Sequence, residues 1–402
     1  MRPKPKQQEP LNLFHRELSS MLNPKHRFCL LAERINWSAL DEMMAKNYSE
    51  KGRPGANTRL MIGLHLLKSM ENLSDERLLE QWLENPYFQY FTGESYFQHK
   101  LPIDRPTMTK FRKRLGEEQL THILTESLRL GLETKALNPR HFERIVVDTT
   151  VQPKAITYPT DGKLMFKAII ALNRFAKAQN INLRQSYIRV GKRDLWASSR
   201  AFHARKFKHG QRHLKALRTK LGRLMRDIDR KCQEMALQTA FSDLKSQCEQ
   251  IIAQTLNPKH KPKIYSLHEP HVQVFSKGKA HAKFEFGNKV SISISTKISR
   301  GGQFILGCLS LEGAPFDGHT LKNQVKQVEN LSQEIGAKPV QRVIVDRGYK
   351  CHGIKDKQVF ISGAKRGVTP QIRRELKRRQ AVEPVIGHAK SDCRMDLSLI
   401  HI

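Results

Sequence analysis

Two short apolar runs in this 402-residue chain end in an aspartate. In RIVVDTTV, Asp148 follows Ile145, Val146 and Val147. In VQRVIVDRGY, Asp346 follows Val343, Ile344 and Val345. Runs of β-branched residues read as buried strands. Ligand sites in open α/β sheets gather at the carboxyl ends of such strands. Two neighbouring strands ending in Asp would hold two like charges a few ångströms apart, which calls for a cation between them. All-oxygen donors favour Mg2+ or Mn2+ over zinc. A third carboxylate stands in RRQAVEPVIGHAK, where Arg379, Glu383 and Lys390 fall within about 40° of one helical face and Arg394 joins them. Pro384 disfavours helical geometry at Glu383 and is expected to start or kink the helix there. Three such carboxylates can hold two metal ions about 4 Å apart, the arrangement used for in-line displacement at phosphorus. Each has a plainer reading: Asp148 capping a turn, Asp346 paired with Arg347, Glu383 in a surface ion pair.

The charge of the whole chain weighs against the plainer readings. Lys and Arg number 71 against 38 Asp and Glu, a formal net charge of +33. That excess costs self-repulsion unless a polyanion neutralises it, and nucleic acid is the usual one. No run of eighteen apolar residues and no signal-peptide core is found, which argues against a membrane partner. Aromatic residues make up only 7%, which disfavours a stacking groove for single strands and leaves duplex DNA as the expected partner. Six cysteines without a C-x-x-C argue against a zinc ribbon and a disulfide framework and fit a reducing cytosol. SKGKAH lacks the rest of a P-loop, so no ATP is expected. His209 and His213 stand at i, i+4 among basic neighbours, where phosphate or solvent contact is favoured over a metal.

The elements that must position these residues follow from periodicity. Residues 1–11 read as a disordered basic tail, and 12–140 as a helical N-terminal DNA-binding domain. In it PTMTKFRKRLG has Thr107 as a candidate N-cap and Gly116 as a stop. Lys110, Arg112, Lys113 and Arg114 make this segment a candidate DNA-docking helix or an ordinary solvated one. Residues 141–396 read as an α/β catalytic domain, interrupted at about 172–258 by a basic helical insertion. Leu214, Leu217, Leu221, Leu224 and Ile228 form one 3-4 seam. Leu237, Phe241, Leu244, Cys248 and Ile251 form another, out of phase, which predicts a helical hairpin turning between about 229 and 242. Strands are expected at 289–296, 303–311, 340–349 and 357–363, with helices at 319–335 and from about 369 to 396.

With these residues in place the sequence resembles insertion-sequence transposases of the DDE superfamily, in the branch typified by insertion sequence five. The resemblance covers nearly the whole chain. It is carried by MIGLHLLKSMENLSDERLLEQWLENPYFQYFTGE, VVDTTVQPKAITYPTD, GAPFDGHTL, VIVDRGYKCHG and RRQAVEPVIGHAKSDCRMD. It implies an RNase H-like catalytic fold, Asp148, Asp346 and Glu383 as the metal triad with two Mg2+ (or Mn2+) ions, and a homodimer or larger synaptic assembly on double-stranded DNA, in the bacterial cytoplasm at the nucleoid. The family's Tyr-(2)-Arg-(3)-Glu-(6)-Lys signature falls on Arg379, Glu383 and Lys390, with Leu376 in the tyrosine's place. Supporting roles are implied for Asp317, His319 and Tyr349. The tail 397–402, LSLIHI, departs from the family and suggests a truncated end. The function expected is binding of terminal inverted repeats with strand cleavage and transfer. The alternative is a catalytically impaired DNA-binding remnant that competes for the element ends.

Overall fold

A computed structural model describes residues 16–46, 48, 54–232, 234–276, 283–364 and 367–396. The expected tails at 1–11 and 397–402, and most of SKGKAH, lie outside the described residues. Among those described, eight α-helices precede the first strand: α1 (Leu18–Met21), α2 (Arg27–Arg34), α3 (Trp37–Ala45), α4 (Thr58–Met70), α5 (Asp75–Glu84), α6 (Pro86–Phe91), α7 (Arg105–Arg112) and α8 (Glu117–Glu133). Side chains of Asn36, Asn57, Ser74 and Asn85 cap helix starts by accepting backbone N–H bonds. Thr107 is not a cap. It lies inside α7, whose N-cap is Asp104, and its own N–H bonds to the Asp104 carbonyl. Gly116 opens α8 as its N-cap. Leu60, Leu64, Leu67, Leu78 and Trp82 fill the core of these helices with Met44, Phe88 and Phe91.

The molecule is a mixed α/β protein that divides into two compact units, 1–152 with 290–311 and 315–402, and 153–289 with 312–314. The first unit continues through β1 (Arg144–Pro153), the C-terminal half of β3 (Phe284–Ser295), β4 (Ile305–Leu311), α13 (Asp317–Glu334), β5 (Arg342–Val345), β6 (Gln358–Ile361), α14 (Pro370–Arg378) and α15 (Val382–Ser391). Its strands run in the order β3-β1-β5-β6, with β4 also on β3. β1, β5 and β6 are parallel. Both faces of this sheet are covered. Ile145, Val147, Val343 and Val345 pack with Leu321, Val325, Val328 and Leu331 of α13. Val146 and Ile344 pack the other way, against Val290, Ile292, Ile294 and Val382. Burial on both faces is why β1 and β5 read as unbroken apolar runs. Each fully buried Leu, Ile or Val contributes about 1.5–3 kcal/mol.

The second unit holds α9 (Asp161–Ala178), α10 (Ile188–His203), α11 (Phe207–Lys231), α12 (Met235–Leu256) and β2 (Gln273–Ser276), which pairs antiparallel with the opening of β3. Helix begins at Asp161, ahead of the expected 172, because Thr160 caps it by accepting from the Lys163 N–H. Helix α11 ends at Lys231 and α12 begins at Met235, within the range where the change of phase between the two leucine seams places the turn. Leu217, Leu221, Leu224 and Ile228 meet Phe241, Cys248 and Ile251, with Ile169 and Leu172 of α9 completing the core. His213 does not face phosphate or solvent alone. Its Nδ1 lies 3.1 Å from Asp194 Oδ1, and Lys220 Nζ donates to Asp194 Oδ2 at 2.5 Å.

Burial disfavours the Asp194 carboxylate, but the hydrogen bonds and charges of Lys220 and His213 outweigh it and hold this carboxyl below its ordinary range. A depressed folded-state pKa contributes stability that is present above the unfolded value and lost as pH falls through the folded one. Asp194→Asn is therefore expected to lower the apparent melting temperature at pH 7, with the gap from wild type closing as pH drops below about 4. Melting curves of both proteins across that range check this. A gap unchanged at low pH would show that the carboxylate charge is not what matters.

Candidate active site

The site of the first unit is set by strand register. Arg144 pairs with Arg342, Ile145 with Val343 and Val146 with Ile344. Carried two residues further, this register sets Asp148 opposite Asp346, on strands about 4.8 Å apart. Side chains alternate along a strand, so Asp148 and Asp346 follow Val146 and Ile344 onto the face covered by Val382 of α15. Asp148 does not end its strand, since β1 continues to Pro153, but it lies beyond the segment paired with β5. Asp346 directly follows β5.

Glu383 reaches this face through a cation. Helix α14 gives way to a single 3-10 turn at Arg379–Ala381, and α15 restarts with Pro384 in its first turn, where proline costs no hydrogen bond. Arg379 and Glu383 thus lie in different elements, yet Arg379 sits 3.8 Å from Glu383 Oε1 and 3.8 Å from Asp148 Oδ2. Glu375, from α14, bonds Arg144 and Arg342 at 2.7 Å each and so pins α14 to the first residues of both β1 and β5. Leu376 packs with Val382 in the core between sheet and helix.

On the opposite face, Thr149 Oγ1 donates to Asp317 Oδ1 at 2.7 Å, while the Thr149 N–H donates to Asp148 Oδ1 at 2.8 Å. Asp317 opens α13, where the helix dipole favours a carboxylate. Burial raises the Asp148 pKa; the Thr149 N–H and Arg379 oppose the shift, and the charges of Asp346 and Asp317 add to it. The buried Tyr349 hydroxyl is also pushed up, by burial first and then by Asp148 and Asp317. It makes no well-formed hydrogen bond among the described residues. His319 is exposed, its ring edge-on to Phe316.

The residues expected on DNA fall into two groups. Lys110, Lys113 and Arg114 are exposed. Arg112 turns inward, its guanidinium fork bonding both oxygens of the buried Asp75 at 2.9 and 2.6 Å. Arg394 bonds the Asn72 side chain and the Asn72 and Leu73 carbonyls. Lys390 is half-buried, 3.8 Å from Asp396. Sequence reasoning missed Glu375, Thr149 and the bridging position of Arg379. A lone Glu set between Arg373-Arg374 and the basic run Lys377–Arg379 was the only local hint of the first.

As a donor set the site is all oxygen, which suits a hard divalent cation. Burial first, and then the charges of Asp346 and Asp317, disfavour the Asp148 carboxylate, and a cation bound there would favour it. Among the described residues, however, no three His, Cys, Asp or Glu side chains stand close enough to enclose an ion. Two aspartates are poised together, and Glu383 is joined to them by the Arg379 guanidinium.

The loop after β5 depends on close backbone approach. A methyl on Gly318 would collide with the Lys350 carbonyl, and one on Gly348 would press the Asp317 carboxylate at 3.1 Å. Gly318→Ala is expected to cost about 1–3 kcal/mol, read as a fall in melting temperature. Gly387→Ala on α15 meets open space and should be neutral or stabilising. Equal effects at the two positions would contradict this packing.

Comparison with known proteins gives two matches. Residues 16–114 match a family model described as a transposase domain (DUF772). An uncharacterized protein, ORF8 in the nfe locus of Rhizobium meliloti, is 47% identical over 196 residues, 49% of this chain and 95% of that protein. No solved structure matches. The similarity to a transposase-domain family thus lies in residues 16–114. No helix among the described residues is long and apolar enough to cross a membrane.

Proposed function

We propose that this chain is a DDE-type transposase with an RNase H-like catalytic fold, of the insertion-sequence-five branch. It binds the terminal inverted repeats of a mobile element as duplex DNA and cleaves and transfers strands with Asp148, Asp346 and Glu383. The observation that carries the reading is the β1–β5 register, which aligns two aspartates on the face where Arg379 ties Glu383 to Asp148.

Asp148 and Asp346 would hold one side of a pair of Mg2+ or Mn2+ ions, and Glu383 the other. Bound there, the ions supply Lewis-acid activation and charge neutralisation at phosphorus. The chain's own part is positional. The register fixes the two aspartates, Glu375 pins α14 over the strands, and Arg379, once released from carboxylates, offers a forked donor to a phosphate. In the first step a water oxygen attacks the phosphorus at the element end, the P–O3′ bond breaks, and a 3′-hydroxyl leaves. In the second that hydroxyl attacks a target phosphorus, forming one P–O bond and breaking another. Synapsis of two ends calls for a dimer or larger assembly.

Full-length protein incubated with Mg2+ and a labelled duplex carrying the element end should nick at that end and join the freed 3′-hydroxyl to a second duplex. A second reading, an impaired DNA-binding remnant, draws on Arg379 standing between Asp148 and Glu383 and on Leu376 in the signature. Duplex binding without any nick favours it and ends the first reading.

A further inference from the structure

The second unit carries a charge pattern that the catalytic reading leaves unused. Between residues 184 and 231 stand sixteen Arg and Lys against three Asp, namely Asp194, Asp227 and Asp229. All three Asp are committed to ion pairs within the unit. The bases are not scattered. On α10, Arg189, Lys192, Arg193, Trp196, Arg200 and His203 are all exposed and fall within about 100° of arc. Gly191, Asp194, Ser198 and Ala201 occupy the buried opposite face. On α11, Lys208, Arg212, Lys215, Arg223, Arg226 and Arg230 are exposed within about 80°, opposite the Leu217–Ile228 seam. The α11 stripe spans 22 residue steps, about 33 Å, close to one turn of duplex DNA.

Ordinary surface solvation does not account for this. Helix α12, in the same unit, carries one Lys against Asp243 and Glu249. Basicity is therefore confined to two faces rather than spread over the unit. Confining it costs self-repulsion that only an anionic partner offsets. Two further features belong to those faces. Trp196 is 58% exposed in the middle of the α10 stripe, with Lys192 Nζ 5.0 Å from its ring. A concavity of about 430 Å³ beside α11 is lined by Arg184, Arg223, Arg226 and Arg230 together with Asp227 and Asp229, four cations against two carboxylates. Linear rows of cations with forked donors match a regular phosphate backbone better than the point charges of a lipid surface.

We infer that the outward faces of α10 and α11 bind the sugar-phosphate backbone of duplex DNA, with Trp196 at the centre of the α10 contact. This surface shares no residue with the carboxylate site or with the basic residues of α7. The inference rests on the reading of the chain as DNA-acting, and its readout is binding rather than cutting.

The chain has three tryptophans, and Trp82 is buried and Trp37 half-buried, so Trp196 is the exposed reporter. A 30-base-pair duplex added to the full-length protein should protect Trp196 from acrylamide quenching, and Trp196→Phe should abolish that protection. The double variant Arg193→Ala/Arg200→Ala should lower the slope of log K against log salt by about 2. Its melting temperature should stay near wild type, because both side chains are exposed. Duplex binding with an unchanged salt slope and an unprotected Trp196 overturns the inference and leaves the catalytic reading standing. Protection by phosphatidylserine–phosphatidylcholine vesicles but not by duplex overturns it in favour of a membrane. Protection by duplex in a protein that never nicks keeps the inference and removes the catalytic reading alone.

Discussion

Asp346→Asn is expected to lower Mg2+-dependent nicking of the element end on the order of a thousandfold, with duplex affinity unchanged. The substitution keeps the shape of the side chain and removes its charge. Asp346 stands at the position that the β1–β5 register, carried two residues further, aligns with Asp148, so the loss falls where two strands bring carboxylates together. Duplex affinity should hold because the exposed bases Lys110, Lys113 and Arg114, and those of α10 and α11, are untouched. Single-turnover nicking measured beside a gel-shift titration separates the two effects. Nicking within tenfold of wild type would mean that Asp346 holds no essential ion.

The largest expected loss of stability lies elsewhere, in the N-terminal helices. Asp75 is 2% exposed, held by both nitrogens of the Arg112 fork and by Lys68 Nζ at 2.5 Å. Burial opposes its charge, yet these two partners depress its pKa. Asp75→Ala leaves two buried cations without a counter-ion and should cost about 3–5 kcal/mol. At this size that is a fall of roughly 5 °C in apparent melting temperature. Glu76→Ala, one residue on, removes only the exposed pair with Arg105 and should stay within about 1 kcal/mol. Thermal melts of the two variants decide the matter. Similar curves would contradict the assignment of Arg112 to the core.

That pair also shows where sequence reading stops. The run Lys110 to Arg114 is basic, and nothing local tells which of its members turns inward. Arg112 does so because Asp75, 37 positions earlier, presents a carboxylate there. Glu375 is likewise chosen by Arg144 and Arg342, two residues that meet only because their strands pair in parallel. Thr107 was a plausible cap by type, but its own N–H is taken by the Asp104 carbonyl, so the helix starts earlier.

What was legible rests on periodicity. Doubly buried strands must be continuous apolar runs, so Asp148 and Asp346 stood out as the first charges after them. The phase change between the Leu214–Ile228 and Leu237–Ile251 seams located the hairpin turn, because a shared core cannot be met by one unbroken face. The Pro384 signal was read correctly as a break near Glu383. Its consequence, an Arg379 that bridges two carboxylates from a 3-10 turn, needs the tertiary placement of α14 and was not readable.

The account turns on whether these carboxylates take up divalent cations together. Mn2+ titration followed by electron paramagnetic resonance measures this without DNA and without turnover. Wild-type protein should bind Mn2+, and Asp148→Asn, Asp346→Asn and Glu383→Gln should each weaken that binding tenfold or more. Absence of Mn2+ binding, or binding that all three variants retain at full strength, would contradict it.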